Sequence, residues 1–413
     1  MAFYSAGRRK ERCHCANVTA YINGDMKVRK LGGKYDERVQ VAPTPPMGWN
    51  SWNYFSCEGL NEQVVKEVIE AFVHKGLREA GYSYIPRVSS KLVHFPITDC
   101  WQINRTAEGI IIPDPHKFPG SRRSQSLDYL SLYAHGKALK FGLYTDTGYR
   151  TCQGRPGSFG YERKDAETYA KWNIDYLKND DCNLSNETTC ETYKAMFEAI
   201  SSTSRPIVHS VKASCGPEMA SAVSNMRRVG QDIRDNWESV LGLIDIYNRD
   251  ELWRYSRPGF WNDLDMLEVG NGGMTMDQYV GHFGLWCVFK APLILGNDIR
   301  YMTSEVKNLI THDELIAINQ DRSEAARLVW RSENGMQEIY TGPLSDKRRV
   351  ALLLNRGNTS ANIQLDWGML PDVTEDTSLK VRDAYRRQNL GSYTNHIKET
   401  VKPTSAKILV LIL

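Results

Sequence analysis

The sequence predicts an α/β fold: a (β/α)8 TIM barrel followed by a small antiparallel β-sandwich domain. Between Met47 and about Gln320, short apolar runs alternate with amphipathic segments, as repeated strand-and-helix units would. After about Ser323 the pattern changes to alternating segments separated by Gly, Pro, Asn and Asp turns. We therefore divide the chain into an irregular N-terminal extension over residues 1–42, a barrel over 43–322 and an antiparallel β domain over 323–413.

The barrel prediction rests on eight strand candidates, the number that closes such a barrel. In chain order they are Met47 to Trp52, Tyr82 to Ile85 (which could continue at Ile97), Lys140 to Thr145, Tyr176 to Asn179, Pro206 to Val211, Arg227 to Gly230, Gly259 to Asn262 and Pro292 to Gly296. Helical patterns lie between them, for example Asn61 to Ala80 and Leu127 to Leu139, with apolar residues at spacings of three and four in the first. The strand candidates of the C-terminal part are Val350 to Leu354, Asn362 to Leu365 and Lys407 to Leu413.

Composition excludes two classes of function. The chain has 413 residues, of which 24% are charged, and 52 basic against 49 acidic side chains give a net charge of +3. This balance gives no support for nucleic-acid binding. The longest apolar stretch, Ile408 to Leu413, is far shorter than the roughly 18 to 20 residues that cross a bilayer, so we expect no membrane span.

The cysteines and glycosylation motifs favour the secretory pathway, either outside the cell or in a lysosome or vacuole. Nine cysteines form no C-x-x-C pair, which leaves disulfides and buried thiols as the two interpretations. N-x-[ST] motifs occur at Asn17, Asn104, Asn183, Asn186 and Asn358. The first thirty residues show no apolar signal-peptide core, so a cytosolic protein and a chain that lacks its true start remain alternatives.

Carboxylates follow nearly every predicted barrel strand, at the end where active sites of this fold lie. They are Asp99, Asp146, Asp180, Asp181, Asp232, Asp235, Asp263, Asp265 and Asp298. The chain has no G-x-S-x-G, H-E-x-x-H or strand-to-helix G-x-G-x-x-G motif. Carboxylates surrounded by Trp and Tyr fit glycoside hydrolysis, where one attacks the anomeric carbon and another protonates the leaving oxygen. Divalent metal binding is the competing use of such a set.

Several longer motifs add a specific resemblance. They are TPPMGWNSW (44–52), TDCW (98–101), KFGLYTDTG (140–148), TCQGRPGSFGYE (151–162), DYLKNDDC (175–182), RRVGQDIRDNW (227–237), WNDLDMLEVGNGGMT (261–275) and KAPLILGND (290–298). In this order they resemble α-galactosidases of glycoside hydrolase family 27, over about residues 43–321. The resemblance implies removal of terminal α-linked galactose with retention of configuration and with no metal or organic cofactor. We expect an α-galactoside as substrate and a monomer or homodimer.

The resemblance also implies roles for individual residues. Asp180 matches the nucleophile and Asp232 the general acid/base, and a nearby Lys178 would favour the ionised form of Asp180. Against this, strand-end Asp residues often cap the next helix, as Asp235 or Asn236 before Trp237 could do. The residues matching sugar contacts are Trp52, Asp99, Tyr144, Cys152, Lys178, Arg228, Asp265 and Met266. Trp52 would serve equally well in a core, and Met266 is a residue type more common there.

The cysteines of the matching motifs imply two bridges, Cys57–Cys100 and Cys152–Cys182, both stiffening the catalytic face. Cys190 and Cys215 are a further candidate pair that no family motif supports. Cys287, in an apolar helical pattern, is expected to be a buried thiol. Cys13 and Cys15 belong to the extension.

Four departures from the family pattern bear on function. Residues 86–96 are an apparent insert after Ile85. They are either a loop at one end of the strand or an error in the predicted coding sequence, and we favour the error. Thr98 replaces an Asp. Asn179 stands where the family has an aromatic residue. Lys212, Ala213 and Ser214 replace a Cys-Glu-Trp, and a small residue there is similar to the α-N-acetylgalactosaminidase branch. The alternatives are therefore an α-N-acetylgalactosaminidase, a β-L-arabinopyranosidase and a catalytically impaired sugar-binding homologue.

Overall fold

The computed structural model describes residues 41–81, 93–120, 127–184 and 189–413. Nearly all of the predicted N-terminal extension, with Cys13, Cys15 and Asn17, lies outside these residues, as does Asn186. None of the helices in the described part is long and apolar enough to cross a membrane. The boundaries drawn at residues 42 and 322 stay predictions.

An eight-stranded parallel sheet forms the first part of the described chain. Its strands are β1 (Met47–Trp49), β2 (Val93–Pro96), β5 (Lys140–Asp146), β6 (Tyr176–Asp180), β7 (Val208–Val211), β8 (Met226–Arg228), β9 (Trp261–Asp263) and β10 (Leu293–Leu295), with the hairpin β3 (Gln102–Arg105) and β4 (Ile111–Pro113) after β2. The order β10-β1-β2-β5-β6-β7-β8-β9 is closed by a parallel bridge between Leu267, just after β9, and Leu295. The predicted TIM barrel is therefore confirmed.

The second strand differs from the prediction. The predicted strand over Tyr82 to Ile85 lies outside the described residues, and β2 falls within the segment 86–96 that we expected to be an insert. That expectation is wrong for the last four residues, because Val93 pairs with Met47 of β1 and Pro96 with Gly142 of β5. The β-prone types Val93 and Phe95 suit an extended strand, and Pro96 stands at its end, where a missing N–H costs the ladder least.

Gly48 allows β1 and β2 to approach each other. It lies opposite His94, and a Cβ at this position would sit only 2.0 Å from the His94 carbonyl oxygen. No side chain fits that space, so the pairing of these two strands depends on glycine.

Helices follow the barrel strands on the outside. They are α1 (Trp52–Gly59), α2 (Glu62–His74), α3 (Asp128–Gly136), α4 (Glu162–Lys171), α5 (Thr189–Ser201), α6 (Pro217–Val223), α7 (Trp237–Arg249), α8 (Met276–Val288), α9 (Ser304–Ile310) and α10 (Asp313–Gln320). The predicted amphipathic face of α2 is buried, through Val65, Val68, Ile69 and Phe72. The Asn236 side chain accepts the N–H of Ser239 and caps α7, as its position suggested.

The C-terminal part is an antiparallel β structure. Its strands are β11 (Arg327–Arg331), β12 (Gln337–Pro343), β13 (Arg349–Asn355), β14 (Ala361–Asp366), β15 (Leu379–Asp383), β16 (Gln388–Tyr393), β17 (His396–Val401) and β18 (Ser405–Ile412). Six of them form one sheet in the order β11-β12-β13-β18-β15-β16, and β14 pairs with β17. Alternate residues of each strand, such as Ile363 and Leu365 of β14 or Leu409 and Leu411 of β18, belong to one buried cluster, as the predicted sandwich requires.

Candidate active site

The carboxyl ends of the barrel strands surround one small cavity of about 140 Å³. This is room for several water molecules, the scale of one sugar ring. Its lining contains all ten predicted site residues: Trp52, Asp99, Tyr144, Cys152, Lys178, Asp180, Arg228, Asp232, Asp265 and Met266. Sequence reasoning did not assign five further lining residues to the site: Asn50, Asn53, Thr98, Gln153 and Lys212.

Asp180 is the last residue of β6, and strand register explains its neighbours. Asp180 pairs with Asp146 of β5, and Lys178 pairs with Tyr144. Because side chains alternate along a strand, residues two apart on paired strands face the same side. The Tyr144 hydroxyl accordingly donates to Asp180 Oδ2 at 2.9 Å, and the N–H of Asp181 donates to Oδ1 at 3.1 Å.

The surroundings of Asp180 favour its ionised form. Burial by itself would raise the pKa of this carboxyl, but the ammonium groups of Lys178 and Lys212 outweigh burial, and the pKa lies below its usual value. We predicted that Lys178 favours the ionised form of Asp180, and Lys212 acts in the same direction. A carboxylate that stays ionised into the acid range is the state that a nucleophile needs.

Lys212 is one of these five residues, and in the sequence it stood out only as a departure from the family pattern. It directly follows β7, and Asn179 pairs with Val211, so the next residues along the two strands, Asp180 and Lys212, come side by side. Lys212 Nζ lies 3.1 Å from Asp180 Oδ1. The alternation of side chains along β7 could have indicated this position, but only once the register between strands was known.

Asp232 lies beyond β8 and is joined to the barrel by Arg228. Arg228 Nη2 lies 2.9 Å from Asp232 Oδ1 and 2.8 Å from Asp265 Oδ2. Arg228 and Asp265 are buried, whereas the Asp232 side chain is 68% exposed. Desolvation by itself would raise the pKa of Asp232. The charges of Arg228 and Lys178 have the larger, opposite effect, so the pKa of Asp232 lies below its usual value. Asp232 thus sits at the mouth of the cavity, open to solvent.

Asp99 also lines the cavity and is held by backbone groups. The N–H of Cys100 donates to its Oδ1 at 2.7 Å, and the N–H of Gln153 donates to its Oδ2 at 3.0 Å. Burial raises the pKa of Asp99, against the effect of these hydrogen bonds. Beside it, the Thr98 hydroxyl pairs with that of Ser51 at 2.9 Å, and Thr98 is part of the cavity lining.

Disulfides brace the cavity from two sides. The structure contains Cys57–Cys100 and Cys152–Cys182, as the family resemblance implied, and also the candidate pair Cys190–Cys215. Cys287 is a buried thiol, as expected. Cys152 Sγ lies 3.8 Å from Asp180 Oδ2, so the second bridge borders the carboxylate directly.

The described residues contain one cluster of groups with metal-ligand atoms close together, Asp146, Cys152, Asp180 and Cys182. Both of its sulfurs are joined in a disulfide, whereas a metal ligand must be a thiolate. Asp180 is already paired with Lys212, and burial raises the pKa of Asp146 to about 8, which favours its neutral form. The donor set therefore does not suit a metal ion.

A (β/α)8 barrel with two carboxylates in a sugar-sized cavity at its carboxyl end is the arrangement of a glycoside hydrolase. The family model described as "Alpha galactosidase A" matches residues 44–321, and the one described as "Alpha galactosidase C-terminal beta sandwich domain" matches residues 334–411. The chain belongs to the α-galactosidase family, which confirms the resemblance found in its motifs.

Individual relatives agree with the family match. The chain is 38% identical to an α-galactosidase of Cyamopsis tetragonoloba over 90% of this chain and 87% of the relative. It is also 38% identical to alpha-galactosidase 2 of Arabidopsis thaliana, over 90% of each. The crystal structure of α-galactosidase I from Mortierella vinacea superposes with a TM-score of 0.83 at 35% identity, covering 90% of this chain and 97% of that one.

Proposed function

We propose that the chain hydrolyses terminal α-linked galactose from oligosaccharides or glycoconjugates and retains the anomeric configuration. One observation carries the proposal: Asp180 and Asp232 line the same cavity, the first buried beside two ammonium groups and the second exposed at its mouth. Retaining glycosidases divide their work between two such carboxylates. The relatives named α-galactosidase support galactose as the sugar.

In the first step, an oxygen of Asp180 attacks the anomeric carbon while the bond from that carbon to the leaving oxygen breaks. Asp232 gives its proton to that oxygen, which departs as an alcohol. The product is a galactosyl ester of Asp180. Tyr144 and Lys212 hold the attacking carboxylate by one contact on each oxygen, and this limits its rotation.

In the second step, water replaces the departed alcohol. Asp232, now ionised, takes a proton from the water as its oxygen attacks the anomeric carbon, and Asp180 leaves as a carboxylate. The exposure of Asp232 suits both steps, because the alcohol leaves and the water enters on the solvent side. Arg228 keeps the Asp232 carboxylate at the rim between the two steps.

The other lining residues fit recognition of one sugar ring. Trp52 and Met266 supply apolar surface for the C–H face, while Asp99, Lys178 and Asp265 can bind hydroxyl groups. Cys152 adds the disulfide as a further wall. Asp99 and Asp265 each accept backbone N–H groups already, so they are fixed in place before a sugar arrives.

The proposed chemistry uses only groups of this chain and water, so we expect no metal or organic cofactor. Three disulfides suit an oxidising compartment, and we propose a location outside the cell or in a lysosome or vacuole. As for assembly, we propose a monomer or homodimer.

The test is turnover of 4-nitrophenyl α-D-galactopyranoside by the purified chain, with proton NMR to identify the first-formed anomer. We expect α-galactose first, and an Asp180→Asn variant should leave the substrate intact. The 4-nitrophenyl α-N-acetylgalactosaminide and β-L-arabinopyranoside serve as comparison substrates. Faster turnover of either would replace galactose by that sugar, and sugar binding without turnover would identify a binding protein.

A further inference from the structure

Two basic side chains approach the proposed nucleophile from neighbouring strands. Lys178 lies on β6 itself, and Lys212 reaches across from the end of β7. Lys212 Nζ is 3.1 Å from Asp180 Oδ1 and 3.9 Å from Asp181 Oδ1. Its side chain is only 23% exposed, so little solvent screens these contacts.

The segment that carries Lys212 is itself anchored. The N–H of Lys212 donates to the Tyr193 hydroxyl at 3.2 Å, and the Ser214 hydroxyl donates to the Asp181 carboxylate. Tyr193 is buried on α5. The lysine therefore extends from a held backbone into the cavity wall, and is not a surface chain that reaches a carboxylate by chance.

The charges around Asp180 show why a second cation matters. The acidic groups around this part of the cavity are Asp99, Asp146, Asp181, Asp232 and Asp265. The phenols are Tyr144 and Tyr193. The basic groups lining the cavity are Lys178, Lys212 and Arg228, and Arg228 is paired with Asp232 and Asp265. Of these cations, Lys212 is the one that contacts an Asp180 oxygen within ion-pair distance among the described residues.

We propose that Lys212 is a positioning residue for the nucleophile, which holds Asp180 Oδ1 from β7 and keeps the carboxylate ionised and oriented for attack. This inference rests on the proposed function. When Asp180 becomes an ester, its negative charge is lost, and Asp181 at 3.9 Å remains as a counter-charge for the ammonium group. Lys212 can therefore stay in place through both steps.

The first test is the pH dependence of kcat/KM for Lys212→Met, which keeps most of the side-chain length but no charge. An opposite charge within about 4–6 Å lowers the pKa of a carboxyl by about 1–3 units, so its removal should move the acid limb to higher pH by about one unit. At a pH below both limbs, this means about tenfold lower activity than the wild type. Lys212→Arg, which restores the charge, should return the limb toward its original position.

Lys194→Met is the matched control. Lys194 lies on α5 with a 61% exposed side chain that pairs with Glu198 at 3.7 Å. This variant should leave the profile unchanged. The inference is overturned if the acid limb does not move in Lys212→Met, or if it moves equally in Lys212→Arg. Hydrolysis by the wild type would still support the proposed function in either case.

A second measurement does not depend on turnover. In a double-mutant cycle on thermal unfolding, Lys212→Met should lower the Tm in the wild type, because it leaves Asp180 without this partner. In an Asp180→Asn background, the same substitution should cost much less. Additive effects of the two substitutions would overturn the inference, whether or not the wild type hydrolyses a galactoside. Absence of hydrolysis by itself would contradict only the proposed function.

Discussion

Arg228 and Asp265 form a buried ion pair in the lining of the cavity, and the same guanidinium nitrogen also holds the exposed Asp232. The distances from Arg228 Nη2 are 2.8 Å to Asp265 Oδ2 and 2.9 Å to Asp232 Oδ1. Asp265 Oδ2 in turn accepts the N–H of Ile233 at 2.9 Å, next to Asp232 in the chain. The proposed acid/base is thus tied to the barrel interior by its side chain and by its backbone.

This arrangement predicts a large stability loss for Arg228→Met. Removing one partner of a buried ion pair leaves the other charge uncompensated, which costs about 3–5 kcal/mol of unfolding free energy. Urea unfolding measures the loss. Adding Asp265→Asn should recover part of it, because the Asp265 charge is then no longer buried without its partner. Additive losses in the double variant would contradict the coupling.

Asp232→Asn should be sensitive to the leaving group. A general acid contributes about 10²–10⁴-fold, and it is needed most when the departing oxygen is basic, as in a sugar alcohol. We expect a loss of this size in kcat/KM for a galactosyl disaccharide and a much smaller one for 4-nitrophenyl galactoside. Asp180→Asn is the control and should lose activity on both substrates. Equal losses on both substrates for Asp232→Asn would argue against its role as the acid.

Activity should be highest in the acid range. Attack requires ionised Asp180 and departure requires protonated Asp232, and the pKa of each carboxyl lies below its usual value. Asp180 therefore stays ionised to a lower pH than an ordinary aspartate does. Asp232 likewise loses its proton at a lower pH than an ordinary aspartate as the pH rises. A profile of kcat/KM between pH 3 and pH 8 should therefore fall toward neutral pH. A maximum above pH 7 would exclude this assignment.

Two disulfides provide a matched comparison of stability with activity. Cys152–Cys182 closes 30 residues and borders Asp180, while Cys190–Cys215 closes 25 residues and has no cysteine in the cavity lining. Similar loop lengths predict similar stability losses of about 2–4 kcal/mol when both cysteines are replaced by Ser. Hydrolysis, assayed well below each variant's Tm, should drop more for the pair beside Asp180. Equal loss of activity in both variants would show that the bridge acts through global stability.

Much of the fold was predictable because local patterns report it directly. Seven of the eight predicted strands overlap strands of the barrel, since short apolar runs between helical patterns are recognisable without neighbours. The second strand was not predicted, because both Tyr82 to Ile85 and Val93–Pro96 are short enough and apolar enough to fill the one slot between β1 and β5. Pairing with both neighbours selected Val93–Pro96.

Local sequence was enough to show which residue types stand at the strand ends, and its motifs identified Asp180, Asp232 and the cysteines of two bridges. The contact of Lys212 with Asp180 and the pairing of Arg228 with two carboxylates became visible in the folded barrel alone. These contacts join residues on different strands or loops. Their meeting depends on the register and closure of the whole barrel, which no local stretch of sequence encodes.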